Sequence, residues 1–275
     1  MGNVIQTNVS SLNSQRNLYR TNISLNETFQ RLSSGFRINS AKDDAAGLQI
    51  SNQLTAQIDG LTVGIRNAND GLSVAQVGEG AQQEITNILL RMRELTIAAA
   101  NGTTADGGAE KTALDAEFQQ LMEEISRIAD TTNFGSTALL DGTFGTKTLQ
   151  VGPNALDVID ITMVDATGLT VVTGAGDITT VANAIAQLAI IDADITTIDT
   201  NRAQLGAVQN RLTSTISNLS NIIENVSASR SRLKDADYAL ETSNLAKGQV
   251  LQQAGLSILS QANAQAQGVL SLLQG

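Results

Sequence analysis

The sequence predicts a mainly α-helical fold, an elongated antiparallel bundle or coiled coil of long helices with a small β-hairpin region. Three observations predict this class. The 275-residue chain contains one proline, Pro153, so almost nothing forbids long uninterrupted helices. Apolar residues make up 41% of the chain but aromatic residues only 3%, and the remaining Leu, Ile, Val and Ala suit helices packed side by side. Apolar residues also recur at steps of seven, as in coiled coils.

The longest heptad repeat lies in the second half of the chain. Its first register contains eight apolar residues: Ile191, Ile198, Leu205, Leu212, Leu219, Val226, Leu233 and Leu240. Its second register is looser, with some positions apolar (Ile195, Ile216, Ile223) and others polar (Arg202, Gln209, Arg230). A helix of about fifty residues would extend about 75 Å, so we expect it to form part of a rod.

Two further helices precede this repeat. The first runs from about Ala45 to Ala100 and carries Gly64, Gly71 and Gly78 at steps of seven. Because glycine weakens a helix, this stripe predicts the close approach of another helix, or else a local bend. A polar turn, residues 101–108, leads into a third helix with a 4-3-4-3 apolar seam: Leu114, Phe118, Leu121, Ile125 and Ile128. A short loop predicts that the two helices fold back on each other.

The pattern changes to that of strands from Thr131 to about Thr180. The stretch KTLQVGPNALDVIDITMV alternates apolar and polar residues around a Gly-Pro-Asn turn, which predicts a β-hairpin. Ile159, Ile161 and Met163 should share one of its faces. The following Gly/Thr-rich segment, residues 165–180, is expected to be an exposed tip.

The two ends of the chain carry similar apolar stripes with polar flanks. Leu18, Leu25 and Leu32 are seven apart near the N-terminus, and a second stripe runs near the C-terminus: Leu251, Ala254, Ile258 and Ala262. Helices of this kind are poor at standing alone, because their apolar faces need a partner. We expect both termini to be disordered in the free chain and to form an α-helical coiled coil on assembly.

Composition excludes most other functions. The net charge is −10, distributed as +4 over residues 1–42, −15 over 43–229 and +1 over 230–275, and an acidic chain argues against nucleic acid as a partner. The chain has no His and no Cys, which removes the usual catalytic triads, thiolates and zinc sites. We therefore expect no enzyme activity, cofactor or metal. No apolar run approaches the roughly 18 residues of a membrane span, so no membrane insertion is expected. The first twenty residues lack the apolar core of a cleaved signal peptide.

Two long motifs then resemble a known family. RLSSGFRINSAKDDAAGLQI, Arg31–Ile50, closely resembles the N-terminal signature of bacterial flagellins, and Ser231–Leu273 resembles the C-terminal one. LQVG followed by an alternating strand matches the family's hairpin. The resemblance implies a structural subunit that polymerises with itself into the extracellular flagellar filament, the propeller of swimming motility. Residues 1–40 and 235–275 would form its inner core, and 41–234 a helical rod domain with the hairpin region at about 131–180. Outer domains would be minimal or absent.

The resemblance also implies particular residues and partners. Subunit packing and register would involve Leu18, Leu25, Leu32, Arg31, Arg37, Lys42, Asp43, Asp44, Leu251 and Ile258, the alternative being that the charged ones only cap and solubilise helix ends. A vertebrate Toll-like receptor would contact Arg91, Leu95 and Glu117. O-glycosylation would fall on exposed threonines, with candidates Thr143, Thr146, Thr167, Thr170, Thr173, Thr179 and Thr180.

Further partners implied are an export chaperone holding the C-terminal helix, a cap protein at the filament tip and the hook–filament junction protein. Export would use the flagellar type III apparatus, without a cleaved signal peptide. A hook–filament junction (hook-associated) protein is the alternative function, less favoured because both flagellin signatures match densely. Flagellins with a metalloprotease insert need histidine ligands, and this chain has none.

Overall fold

A computed structural model describes residues 7–174 and 176–274, with side chains described as far as residue 265. Residues 1–6 and 275 of the predicted terminal segments lie outside the described residues. The elements in chain order are α1 (Val9–Ser34), α2 (Ala45–Ala99), α3 (Ala109–Thr131), β1 (Asn133–Phe134), β2 (Thr137–Ala138), β3 (Thr146–Gln150), β4 (Val158–Thr162), α4 (Thr170–Thr173), α5 (Val181–Lys234) and α6 (Tyr238–Gln274). The mainly helical fold class is confirmed.

The chain divides into two compact units. The terminal unit contains Met1–Ala56 and Asn225–Gly275, and the central unit contains Gln57–Glu224. The division predicted at residues 40 and 234 refers to layers of an assembly, so it stays a prediction.

The core of the central unit is one cluster of buried side chains from its helices and strands. Four positions of the first register of α5 are buried, as the heptad pattern predicts: Ile191, Ile198, Leu205 and Leu212. Phe118 and Ile125 of the predicted α3 seam are fully buried in the same cluster, with Leu114, Leu121 and Ile128 half-buried around them.

The second register of α5 was predicted at the wrong positions. The second set of buried positions on α5 is Gln187, Asp194 and Asn201, whereas Ile195 of the predicted second register is only half-buried. Asp194 and Asn201 bind the backbone of the segment around the end of the hairpin and α4, so burial at these two positions depends on hydrogen bonds that the apolar pattern does not show.

The predicted continuation of α5 to Leu240 is wrong. The helix ends at Lys234, and Leu240 lies exposed on α6. The chain leaves the helix because residues 235 and 236 pair with the segment after α1: Phe36 and Asp235 form a β-bridge, and the Ala236 amide donates to the Gly35 carbonyl at 2.9 Å. Asp237 then caps α6 by accepting from the amides of Ala239 and Leu240.

The hairpin is confirmed, and its neighbourhood differs from the prediction. β3 and β4 pair antiparallel in register Leu149↔Ile159, and Ile159, Ile161 and Met163 are all buried. A second, two-residue hairpin of β1 and β2 was not predicted.

The segment predicted as an exposed tip instead folds back onto the core. It includes the short helix α4, and its apolar residues are buried: Ala166, Leu169, Val171 and Ile178. Single apolar residues separated by Gly and Thr show no period, which is why the pattern indicated a loop.

The glycine stripe of α2 does mark a close approach, but the approaching element is the hairpin rather than a helix. A Cβ on Gly64 would meet the Val151 carbonyl oxygen, one on Gly71 would meet the Leu149 side chain, and one on Gly78 would lie 2.7 Å from Met163 Cε. Absence of side chains at these positions lets the hairpin lie directly on the α2 backbone.

By length and composition alone, one described helix, α5, could cross a membrane: an 18-residue window reaches a mean hydropathy of 1.3 and is 28% buried. The apolar residues Ile191 and Ile198 of α5 belong to the central core, which accounts for part of that hydropathy.

Candidate assembly surface

The terminal unit is built on the antiparallel pairing of α1 with α6. Leu18 and Leu25 are buried in this pair, each over a glycine of α6: a Cβ on Gly255 would lie 2.7 Å from Leu18 Cδ2, and one on Gly248 would lie 2.7 Å from Leu25 Cδ2. The two leucines therefore pack within one chain. Pairing of the two termini as helices agrees with the prediction, while their disorder in the free chain stays a prediction.

Polar side chains join the same two helices at intervals. The Ser11 hydroxyl donates to Asn263 Oδ1 at 2.9 Å, and Gln252 Nε2 donates to Asn22 Oδ1 at 2.9 Å. At the other end, the Tyr238 hydroxyl donates to the Leu32 carbonyl at 2.9 Å. These bonds explain why a pair with polar flanks holds together without a wide apolar seam.

The face of α6 that packs on α1 includes Ala262 of the predicted stripe but not Leu251 or Ile258. Leu251 and Ile258 are 49% and 58% exposed. The buried or half-buried face instead includes Glu241, Gly248, Gly255 and Ala262, again seven apart. Sequence reasoning selected the larger side chains, although glycines opposite leucines are what lets two helices approach closely. Leu251 and Ile258 are thus left free within this chain to contact other molecules.

Large apolar side chains are exposed along both terminal helices. On α1 they are Val9, Leu12, Tyr19, Ile23 and Phe29. On α6 they are Tyr238, Leu240, Val250, Leu251, Leu256 and Ile258. We call this set the assembly surface. Exposed apolar residues in such density mark an interaction site rather than an ordinary surface.

One ion pair links the helices near their junction. Arg31 Nη1 lies 3.1 Å from Glu241 Oε1, and the Glu241 side chain is only 6% exposed. Both residues line a groove of about 380 Å³ together with Arg20, Glu27, Asn244 and Lys247. Arg31 was predicted to fix register, but Glu241 was missed, because one acid among polar residues gives no signal in a sequence.

The other charged residues predicted to fix register lie around the α1–α2 connection. Arg37 Nη2 donates to the Leu233 carbonyl at 2.6 Å, which ties the connection to the end of α5. Asp44 Oδ1 accepts from the Gly47 amide at 2.8 Å, in the first turn of α2. Lys42 is exposed, 4.0 Å from Glu27. Within one chain these residues cap and connect helices; a role between chains stays a prediction.

Asp43 organises the turn before α2. Its Oδ2 accepts from the amides of Ser40 and Asn39 and from the Ser40 hydroxyl. The hydrogen bond from the Ser40 amide, followed by that from the Asn39 amide, lowers the pKa of Asp43 below its ordinary value.

The residues predicted to contact a receptor lie on the central unit. Arg91 Nη2 lies 2.8 Å from Glu117 Oε1 and Nη1 lies 3.0 Å from Glu94 Oε2, so the predicted Arg91–Glu117 pair is present and exposed. Hydrogen bonding to Glu117 raises the pKa of Arg91. Leu95, however, is 3% exposed and belongs to the core, so its side chain does not offer a contact. In the sequence, Leu95 follows Ile88 by seven residues on the apolar stripe of α2, so its burial could have been predicted from the heptad pattern.

The predicted glycosylation sites differ in access. Thr143, Thr146, Thr170 and Thr173 are exposed, whereas Thr167, Thr179 and Thr180 are half-buried. The hydroxyls of Thr143, Thr167 and Thr179 donate to neighbouring aspartates, that of Thr173 donates to the Leu169 carbonyl, and that of Thr146 is hydrogen-bonded to the Thr162 hydroxyl. Within the described residues, no group of three or more acidic residues could hold a metal ion.

Paired terminal helices that leave most of their large apolar side chains exposed are typical of a structural subunit that assembles with other copies. Comparison with known proteins gives the family. The bacterial flagellin N-terminal helical region matches residues 5–145, and the C-terminal helical region matches residues 188–273. A flagellin of Halalkalibacterium halodurans is 44% identical over 276 residues, covering 98% of this chain and 100% of that protein.

Solved structures agree. The crystal structure of Bacillus cereus flagellin, 34% identical, superposes with a TM-score of 0.51 over 56% of this chain and 88% of its own. The chain belongs to the bacterial flagellin family, and it is a subunit of the flagellar filament. A flagellar hook-associated protein of Vibrio parahaemolyticus reaches a TM-score of 0.57 over 70% of this chain and all of its own, but at 14% identity it shows the shared fold alone. The hook-associated alternative is therefore less supported.

Proposed function

We propose that copies of this chain polymerise through the assembly surface of α1 and α6. The observation that carries this proposal is the orientation of the terminal helices. Glycines of α6 face inward between the two helices together with Leu18 and Leu25 of α1, while most large apolar side chains face outward. A surface of that kind is stable only when other molecules cover it, at roughly 25 cal/mol per Å² buried.

The polymer should be open rather than a closed oligomer. Outward apolar residues occur along most of α1 and α6, over several helical turns, rather than in one self-complementary patch. Contacts between unlike patches of successive copies continue indefinitely unless the rotation closes. This geometry supports a filament and does not require any further domain.

The test is polymerisation of the double variant Leu251→Ser, Ile258→Ser. The substitutions remove two outward side chains and leave the α1–α6 contact intact. We expect a critical concentration at least about tenfold higher than that of the parent, since each residue would lose an apolar contact of about 1 kcal/mol or more. Ile185→Ser, at an exposed position on α5, is the matched control and should polymerise like the parent. Equal critical concentrations for all three proteins would contradict the proposal.

The export chaperone, the cap protein and the hook–filament junction protein are proposed as partners of the same surface. The exposed apolar side chains on α6 support this, because a chain that must not polymerise before export needs that surface covered. Binding of a flagellar export chaperone to the parent and to the Leu251→Ser, Ile258→Ser variant, measured by calorimetry, tests it. Equal affinities would mean that the chaperone uses another part of the chain.

Recognition by a vertebrate Toll-like receptor is proposed through the exposed Arg91–Glu117 pair, without a side-chain contact from Leu95. A reporter-cell assay should show a weaker response to Arg91→Ala than to the parent. Arg127→Ala removes a comparable exposed pair with Glu124 on α3 and is the control. An absent response to the parent protein would end this proposal.

O-glycosylation is proposed at the exposed threonines Thr143, Thr146, Thr170 and Thr173 before the half-buried ones. Intact mass above the 28.8 kDa of the chain, followed by peptide mapping, is the measurement.

A further inference from the structure

The contacting positions of the terminal helices form two matched heptad series. On α6 the series is Glu241, Gly248, Gly255, Ala262, and on α1 it is Leu32, Leu25, Leu18, Ser11. In the structure Leu25 occupies the space over Gly248, and Leu18 occupies the space over Gly255. We call these two glycines the leucine sockets.

The leucine sockets by themselves do not define one register. A shift of α6 by seven residues would seat Leu32 on Gly248 and Leu25 on Gly255, and would put Leu18 on Ala262. The apolar contacts would be nearly the same, because the leucines and the small residues repeat with the same period. Heptad repeats of this kind need a polar or charged position to choose between registers.

Glu241 occupies the position in the α6 series where a third socket would lie. Its side chain is 6% exposed, Oε1 binds Arg31, and Oε2 has no hydrogen-bond partner within the described residues. The seven-residue shift described above would move Glu241 past Ser34, where α1 ends, and away from Arg31. The opposite shift would place Leu25 against Glu241. Both shifts separate Glu241 from Arg31, so each loses the ion pair of the observed register. The opposite shift also leaves the carboxylate buried against Leu25 without its cation, which is strongly unfavourable.

We propose that Glu241, through its ion pair with Arg31, determines the register in which α1 and α6 pair and thereby how the outward side chains of the two helices are aligned along the assembly surface. The hydrogen bonds of Ser11 and Asn22 also break in a shifted register, and Ser11 is itself buried. Both are neutral groups, however, and leaving a neutral group unpaired costs less than leaving a charged group unpaired. Because the assembly surface is part of the proposed function, the inference rests on it for its consequence in filaments. The register itself is a property of the single chain.

Engineered cysteines can report the register directly, since the chain has none of its own. Ser11→Cys with Asn263→Cys reports the register of the structure, in which these side chains are hydrogen-bonded at 2.9 Å. Ser11→Cys with Leu270→Cys, seven residues further along α6, reports the shifted register. Disulfide formation within one chain is quantified from the cross-linked protein that keeps the mass of a monomer. The measurement is made on the full chain in solution and again after polymerisation. Each cysteine pair is combined with Glu241→Ala, with the charge exchange Arg31→Glu, Glu241→Arg, and with Lys42→Gln.

The parent should form the 11–263 link in large excess over the 11–270 link. Glu241→Ala should raise the ratio of the 11–270 link to the 11–263 link by about tenfold or more. The charge exchange should restore the ratio found in the parent. Lys42→Gln breaks an exposed 4.0 Å pair in the same unit and should leave the ratio of the two links in the unpolymerised chain unchanged.

An unchanged ratio in Glu241→Ala, with helix content retained by circular dichroism, would show that the bridge between Phe36 and Asp235 sets the register instead, and would overturn the proposal. Loss of both links in Glu241→Ala and in the charge exchange would also overturn it, because Glu241 would then act on helix stability alone. A parent chain that fails to polymerise would contradict the proposed function but would leave the ratio in solution as a valid measure of register.

Discussion

Single polar residues on the buried face of α5 hold the irregular segment that follows the hairpin. Asp194 accepts from the Val171 amide at 2.8 Å and from the Thr170 amide at 3.2 Å, at the start of α4. Asn201 accepts from the Val164 amide at 3.3 Å and from Gln82 at 2.7 Å, and donates to the Thr162 carbonyl at 3.1 Å. The apolar side chains of the segment pack into the core, and these hydrogen bonds fix the path of its backbone.

Replacement of Asp194 by alanine should therefore destabilise the central unit. The variant leaves the buried Val171 amide without an acceptor, and an unsatisfied buried group costs about 1–3 kcal/mol. The midpoint of urea unfolding, followed by circular dichroism, should fall. Asp192→Ala on the same helix breaks an exposed pair with Arg93 and should have a far smaller effect. Equal midpoints for the two variants would show that the Asp194 bonds contribute little.

Asp43 should make the turn before α2 sensitive to acid. Its folded pKa is lowered, chiefly by the hydrogen bond from the Ser40 amide, below the unfolded value of about 3.9. The stabilisation is thus fully present above that value and is lost as the pH falls through the lower, folded pKa. Hydrogen exchange of residues 39–47 should accelerate below about pH 4, relative to other amides.

Asp43→Asn should weaken this acid dependence, since the amide does not titrate in that range. Asp59→Asn, at an exposed position on α2, is the matched control and should retain the parent's profile. An identical pH profile for the parent and Asp43→Asn would contradict the assignment.

At the scale of elements, the α2 glycines determine whether the hairpin can lie against the helix. A methyl group on Gly64 would overlap the Val151 carbonyl and approach the Gly152 amide at 3.2 Å, and both are backbone atoms that cannot rotate away. Gly64→Ala should therefore destabilise the central unit by about 1–3 kcal/mol, despite alanine's better helix propensity.

The matched control is Gly206→Ala on α5, where a Cβ would meet nothing within 4 Å. This variant should instead be more stable by up to about 1 kcal/mol. Thermal unfolding followed by circular dichroism distinguishes the two. A stabilised Gly64→Ala protein would mean that the hairpin moves off α2 at little cost.

Prediction from sequence succeeded where one period dominated an element. The heptads of α3 and α5, the extent of α2 and the alternation of β3 and β4 each follow from apolar side chains repeating on one face. Several failures share a cause: Gln187, Asp194, Asn201 and Glu241 are polar at buried positions, and Gly248 and Gly255 contribute space rather than side chains. Their roles depend on which group of the neighbouring element lies opposite, and the apolar period of one element does not reveal it. Residues 165–180 were misjudged for another reason, since their isolated apolar residues show no period.

At the scale of the whole molecule, charge is distributed unevenly along the chain. The first 42 residues carry a net charge of +4 and residues 230–275 carry +1, whereas residues 43–229 carry −15. Polymerisation brings many copies of a chain with a net charge of −10 together, so we expect the copies to repel each other electrostatically. Apolar burial at the assembly surface must exceed this repulsion.

Polymerisation should therefore become more favourable as sodium chloride is raised from low to physiological concentration. Screening shortens the Debye length from about 30 Å at 0.01 M to about 8 Å at 0.15 M salt, which weakens repulsion between copies while leaving close apolar contacts unaffected. The critical concentration, measured by sedimentation of filaments from monomer at each salt concentration, should fall over this range. The variant Asp59→Asn, Asp70→Asn removes two exposed negative charges from α2 and should show a shallower dependence on salt. A critical concentration that rises with salt would show that attraction between the basic ends and the acidic middle of neighbouring copies, rather than apolar burial, drives assembly.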